Sequence, residues 1–222
     1  IVGADLADGG SNTLSATQTD AAGNVSDAVT RDITTDLTAP TASNVTIASN
    51  NATNTLAKNG DTVSLTFTVS ETLAADPTVT IFGETATITN DGLNYTASLT
   101  LSGDEAQGAA SFAIDFDDVA GNSATQITAV SGTGASSSVT ADFTADAAPT
   151  ITAVSTDDLI NATENTNGFD LTGTGVNGST VTVSGFENGI ADKTATVDSD
   201  GNWSISIVDA DLADDGLNTL SA

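Results

Sequence analysis

The sequence has no cysteine, no methionine and no histidine. Disulfide staples, zinc sites built from Cys and His, and thiolate or imidazole chemistry are therefore excluded. The lack of cysteine leaves the redox compartment open, although an extracellular location would not rest on disulfides. Cations are scarce as well: Arg31, Lys58 and Lys193 face 30 acids, for a formal charge of -27. Phosphate binding needs Lys and Arg, so nucleic acid and anionic membrane surfaces are not expected partners. Aromatic residues are only 4% of the chain, so a core must be built from Val, Ile, Leu and a few Phe. No apolar run approaches the roughly 18 residues of a spanning helix, and no membrane insertion is expected. The opening IVGADLADGG does not read as a signal peptide.

What is present is aspartate. Only Glu71, Glu84, Glu105, Glu164 and Glu187 among the acids are Glu. Asp favours turns and is a hard oxygen ligand. A strongly acidic surface also keeps molecules apart in solution, which is the plainer reading.

The chain repeats itself. IVGADLADGGSNTLSA (1–16) returns as IVDADLADDGLNTLSA (207–222), with 13 of 16 positions identical at an offset of 206. Half that period is the size of one immunoglobulin-like sandwich. Weaker half-period echoes fit: Asp20-Ala-Ala-Gly-Asn24 returns as Asp118-Val-Ala-Gly-Asn122, and Val29-Thr-Arg-Asp32 as Val139-Thr-Ala-Asp142. Asp91-Gly92 before Tyr95 matches Asp200-Gly201 before Trp203. These echoes give three pieces. Residues 1–38 are the C-terminal strands of one domain, and 39–147 are a complete domain. Residues 148–222 are the N-terminal strands of a third, ending before its own D-x-x-G-N turn.

Strands are legible by their alternation. In TVSLTFTV (62–69), Val63, Leu65, Phe67 and Val69 share one face, and Thr62, Ser64, Thr66 and Thr68 the other. TVTI (78–81), YTASLTL (95–101), FAIDF (112–116), TVTV (180–183) and WSISI (203–207) behave alike, with Gly, Asn and Asp between them. No window carries a helical stripe. The expectation is all-β: tandem Ig-like antiparallel β-sandwiches in an extended rod. Tyr95 and Trp203 take equivalent strand positions and read as core, with a carbohydrate platform as the other role.

The order strand, D-x-x-G-N, strand, D-x-T-x-D, A-P-T resembles the tandem bacterial Ig-like repeats of giant type I-secreted, biofilm-associated adhesins. VTIASNNATNTLAKNGDTVSLTFTVSETL (45–73) looks particularly like one such domain. The resemblance implies an extender on the bacterial cell surface, secreted, with calcium often held between domains.

In an Ig-like topology the acids then gain a place. Asp32 and Asp36 come at the exit of the first domain, and Asp142 and Asp146 at the exit of the second. Asp118, in a turn facing back towards the preceding linker, and Glu71, in the neighbouring loop, would meet Asp32 and Asp36. Such a junction repels itself unless a cation sits in it. Ca2+ accepts six to eight hard oxygens in irregular geometry, whereas Mg2+ wants a near-ideal octahedron. The expected ligands are thus Asp32, Asp36, Glu71 and Asp118 at one junction, and Asp142 and Asp146 at the next. Asp5, Asp8, Asp20, Asn24 and Asn122 are weaker candidates, because D-x-x-G-N is also a good turn sequence. Asp91 and Asp200 read as plain turn residues. Asp209, Asp211, Asp214 and Asp215 form either a solvated loop or a further half-junction.

No catalytic constellation is visible, so an enzyme is not expected. GTGVNG (173–178) has no following Lys and is not a phosphate loop. The leading expectation is a structural extender whose partners are neighbouring repeats of the same protein, with head-to-tail copies of the chain also considered. The alternatives are a carbohydrate- or protein-binding Ig-like module, or a filament subunit joined by strand complementation.

Overall fold

A computed structural model describes residues 6–132, 138–152, 154, 160, 163, 167–186, 191–208, 211 and 220–222. The chain divides into two compact units, Ile1–Phe143 and Thr144–Ala222. In the first unit the strands are β1 (Ser11–Ala16), β2 (Val29–Thr34), β3 (Ala42–Ser49), β4 (Leu56–Ala57), β5 (Thr62–Val69) and β6 (Thr78–Ile81). They continue with β7 (Glu84–Thr85), β8 (Thr87–Asp91), β9 (Asn94–Thr100), β10 (Gly108–Ala109), β11 (Phe112–Asp115) and β12 (Thr140–Ala141). The second unit holds β13 (Phe169–Thr174), β14 (Thr180–Val183), β15 (Lys193–Thr196) and β16 (Asn202–Ile207). Thr163 and Asn167 have helical backbone. Among the described residues no helix is long and apolar enough to cross a membrane.

In the first unit an antiparallel sheet of order β3-β5-β9-β8 is set against the sheet β11-β6-β7. Val63, Leu65, Phe67 and Val69 of β5 are all buried, and they share one core with Val79 and Ile81 of β6 and Ile114 of β11. This is a β-sandwich. Its alternation follows from the pleat, which sends successive side chains to opposite faces. Tyr95 and Phe67 stack across β9 and β5 with ring centroids 5.6 Å apart. The outward hydroxyls bond to one another: Thr46 to Thr66 at 2.8 Å, Thr62 to Thr100 at 3.0 Å, Ser64 to Ser98 at 3.3 Å. Cross-strand pairs of this kind account for the outward Thr rows. A small sheet, β10-β12-β4, closes one side and contains a parallel pair, β12 with β4. The hairpin β1-β2 forms its own two-stranded sheet.

The second unit has two antiparallel pairs, β13-β16 and β14-β15. Its core is Leu171, Val181, Val183, Val197, Trp203, Ile205 and Ile207. Trp203 is only 2% exposed, so it is a packing residue with no face open for a sugar. A Cβ on Gly173 would lie 1.9 Å from the Thr150 carbonyl and 2.6 Å from the Trp203 ring. Only glycine permits that approach.

One expectation needs correction. The third piece does not lack a D-x-x-G-N turn, because Asp198-Ser-Asp-Gly-Asn202 is one, placed between β15 and β16. The Asp198 carboxylate accepts the N–H groups of Asp200 and Asn202, at 2.9 and 2.8 Å.

Candidate metal centre

Three segments of the first unit bring carboxylates together. Asp36 lies in the linker after β2, Glu71 just past β5, and Asp118 in the turn after β11. One oxygen of each lies within 4.8 Å of the other two. Backbone ladders fix this meeting. Ser70 N–H donates to the Thr41 carbonyl at 2.9 Å, and Thr41 N–H donates to Ser70 Oγ at 2.9 Å. These bonds clip the linker to the loop that carries Glu71. Ala74 N–H donates to the Asp117 carbonyl at 3.0 Å, and Leu73 bridges to Asp118. That pairing draws the Asp118 turn against the same loop.

Asp118 is fully buried, while Asp36 and Glu71 are half-buried. Asp118 Oδ1 accepts from Ala120 N–H and Asn122 N–H, both at 2.8 Å, and Oδ2 from Asn122 Nδ2 at 2.7 Å. A carboxylate has about four lone-pair sites, so one remains after these three bonds. Burial pushes the Asp118 carboxyl up. The Asn122 side chain and the N–H groups of Asn122, Ala120 and Gly121 outweigh it and hold the group below its ordinary value. Asp118 is thus charged by design of its turn. Gly121 completes that turn at φ 92°, with its N–H on the Asp118 carbonyl at 3.2 Å. Asn122 Nδ2 also donates to the Asp36 carbonyl at 3.1 Å, which ties the turn to the linker.

No cation answers these acids from the protein. Among the described residues the ion pairs are Lys58–Asp61 and Lys193–Asp211, both elsewhere. Three carboxylates therefore converge on one point, one of them fully buried, without a basic side chain. Carboxylate oxygens are the hard donors that divalent cations such as Ca2+ take.

The other sequence candidates fall in several places. Asp32 is in β2 and accepts the Thr13 hydroxyl at 2.5 Å, outside the group of three. Asp8 caps the linker instead of joining it: it accepts Leu37 N–H at 2.7 Å and the Thr38 hydroxyl at 2.5 Å. The Thr38 hydroxyl and then the Leu37 N–H lower its pKa. Asp20 and Asn24 repeat the Asp118–Asn122 turn bond for bond, with Asp20 accepting Ala22 N–H, Asn24 N–H and Asn24 Nδ2 at 2.8 to 2.9 Å. Asn24 lowers the Asp20 pKa through its side chain and its N–H. That turn is exposed, so its carboxylate is accounted for by turn-making. Asp142 belongs to the first unit, its N–H on the Ala57 carbonyl at 2.9 Å. Asp146 belongs to the second and accepts the Ser179 hydroxyl at 2.5 Å. Asp211 accepts Lys193 Nζ at 2.5 Å and Val208 N–H at 2.8 Å. Asp5, Asp209, Asp214 and Asp215 lie outside the described residues.

Sequence reasoning missed two parts of this site. Asn122 was read as a weak ligand, whereas its amide positions both Asp118 and Asp36. Asp8, also a weaker candidate, organises the linker by accepting the Leu37 N–H and the Thr38 hydroxyl. The Asn at the end of each D-x-x-G-N motif was the available signal for the first.

No family model matches the chain, and no curated protein matches it. Several solved structures are similar to it, two of them adhesins. One is described as a Ca2+-stabilized adhesin that helps an Antarctic bacterium reach out and bind ice. It is 29% identical, with 90% of this chain and 48% of that one covered, at a TM-score of 0.44. The other belongs to work on the host cell surface retention of a 1.5-MDa bacterial ice-binding adhesin, at 22% identity over 90% and 63% of the two chains, TM-score 0.44. This chain therefore spans about half of the first structure and less than two thirds of the second.

Proposed function

We propose that this chain is a structural extender segment of a repetitive adhesin, secreted to the bacterial cell surface, with Ca2+ stiffening its junctions. The three-piece parse at 1–38, 39–147 and 148–222 belongs to this reading. The observation that carries it is the meeting of Asp36, Glu71 and Asp118 from three separate segments. Their oxygens span no more than 4.8 Å. That is the width of an oxygen shell around Ca2+, roughly twice the ~2.4 Å metal–oxygen distance.

The site would join the linker carrying Asp36 to the sandwich carrying Glu71 and Asp118. Bound Ca2+ supplies the positive charge that lets these acids sit together. Asp118 is preset for it, charged and held by Asn122. Pro40, buried just past Asp36, limits the linker further. Removing the ion leaves the linker held to the sandwich only by its hydrogen bonds to Ser70 and Asn122, so the joint is looser in calcium-poor cytosol and firmer outside. The role is mechanical, not catalytic: repeats add length and hold a distal binding region away from the cell. Partners are neighbouring repeats of the same protein, and head-to-tail copies belong to the same picture.

The test is a thermal melt of metal-stripped protein with and without Ca2+, with Mg2+ at equal ionic strength as the control. The reading requires a higher Tm with Ca2+ and little change with Mg2+. Equal shifts would reduce the acids to surface charge.

A further inference from the structure

The Asp36 carboxylate is aimed by its own linker. Its Oδ1 accepts the Thr38 N–H at 3.2 Å, which closes a small turn over residues 36–38. From the sandwich side, Asn122 Nδ2 holds the Asp36 carbonyl at 3.1 Å. The turn itself is fixed from the other side, by the loop before β1. Asp8 Oδ1 accepts the Leu37 N–H at 2.7 Å, and Oδ2 the Thr38 hydroxyl at 2.5 Å. One carboxylate thus grips both residues that follow Asp36.

Asp8 is itself anchored on both flanks. Gly9 N–H donates to the Thr35 carbonyl at 2.9 Å. Ala7 N–H donates to Asn12 Oδ1 at 2.9 Å, and Asn12 Nδ2 returns a bond to the Ala7 carbonyl at 3.1 Å. Asn12 Nδ2 also reaches Thr35 Oγ1 at 3.0 Å. Loop and linker are therefore tied together at the end of the hairpin, and Asp36 leaves that tie in a set direction. The loop before β11 uses the same device with a neutral group. There Gln107 Oε1 accepts the N–H of Phe143, in the exit segment of the complete domain, at 2.8 Å. The grip needs an acceptor oxygen rather than a charge.

We propose that Asp8 is a positioning residue for the cation site. It lies outside the group of three acids and acts through Asp36. By holding residues 37 and 38 it sets the Asp36 carboxylate against Glu71 and Asp118 before the ion arrives. An ordered ligand loses less freedom on binding, which raises affinity without a further contact to the ion. The site thereby answers to the loop before β1: Ca2+ is bound tightly only while that loop sits on the linker. The inference rests on the reading of Asp36, Glu71 and Asp118 as Ca2+ ligands, and it adds the group that controls their meeting.

The test is calorimetric titration of metal-stripped chains with Ca2+. Asp8→Ala removes both bonds and should weaken binding about threefold or more. Thr38→Val removes one bond from the far end, leaves every acid in place, and should weaken binding in the same direction. Asp8→Asn decides between position and charge. Its amide can accept the Leu37 N–H and donate to Thr38 Oγ1, so it should recover most of the natural affinity with one charge fewer. A loss in Asp8→Asn as large as in Asp8→Ala would make Asp8 a charge or a ligand, and would overturn the proposal. In an Asp36→Asn background, Asp8→Ala should cost little further affinity. An equal loss in both backgrounds, the mark of a merely structural role, would overturn it as well. Natural-chain binding that is indifferent to Asp8→Ala defeats this inference alone. Absence of saturable binding by the natural chain defeats the calcium reading and this inference with it.

Discussion

At the scale of the residue, Asp118 separates turn-making from metal binding. Asp118→Asn keeps the size of the side chain and one acceptor oxygen for the turn, but removes a charge from the cradle. The expected outcome is a folded protein whose Ca2+ affinity falls by about tenfold or more, read by calorimetric titration. The equivalent Asp20→Asn change should leave Ca2+ affinity unchanged, since the exposed Asp20 belongs to no group of three acids among the described residues. Asp61 gives the pH dependence. The Asn51 amide and the Lys58 N–H hold its pKa below the ordinary value. A lowered folded pKa adds stability that is complete above the unfolded value near ~4 and is lost as pH falls through the folded one. The Tm advantage of the natural protein over Asp61→Asn should therefore be flat from pH 7 to about 5 and shrink below about 4.

At the scale of the element, the strands were legible because their periodicity is a packing rule. TVSLTFTV became β5 residue for residue, and TVTI became β6, because Val, Leu and Phe on alternate positions leave only one face to bury. The meeting of Asp36, Glu71 and Asp118 was legible for a different reason: sandwich topology fixes which loops share a pole. The fine assignment was not legible. Asp32 and Asp36 lie four residues apart in one segment, yet Asp32 points at Thr13 across the hairpin. Pairing register decides this, and linear spacing does not contain it. The turn at Asp198–Asn202 follows the D-x-x-G-N pattern, with Asp198 as its acceptor and Asp200 as a plain turn residue. Gly173 makes the element-scale prediction. A Cβ there meets backbone at 1.9 Å, so Gly173→Ala should destabilise the second unit by about 1–3 kcal/mol or more, as overpacking does. The single Trp203 lies in that unit, so its fluorescence melt reports the loss directly. Leu65→Ala, in the first unit, should cost about 2–5 kcal/mol while leaving the Trp203 melt near its original midpoint.

At the scale of the whole molecule, charge dominates. With 30 acids against 3 bases, the fold works against its own repulsion, and any cation relieves some of it. Salt should therefore raise the Tm of the metal-free chain gradually, and Na+ and Mg2+ should act alike at matched ionic strength. A specific site behaves differently: it saturates, prefers Ca2+, and stabilises by mass action at low concentration. The account predicts both behaviours, separable by titration.

The most direct measurement is a calorimetric titration of the metal-stripped chain with Ca2+ in a background of ~0.15 M salt, beside Asp118→Asn. The account predicts saturable binding in the micromolar to millimolar range, weakened about tenfold or more by the substitution. Absence of saturable binding, or identical isotherms for the two proteins, would contradict it.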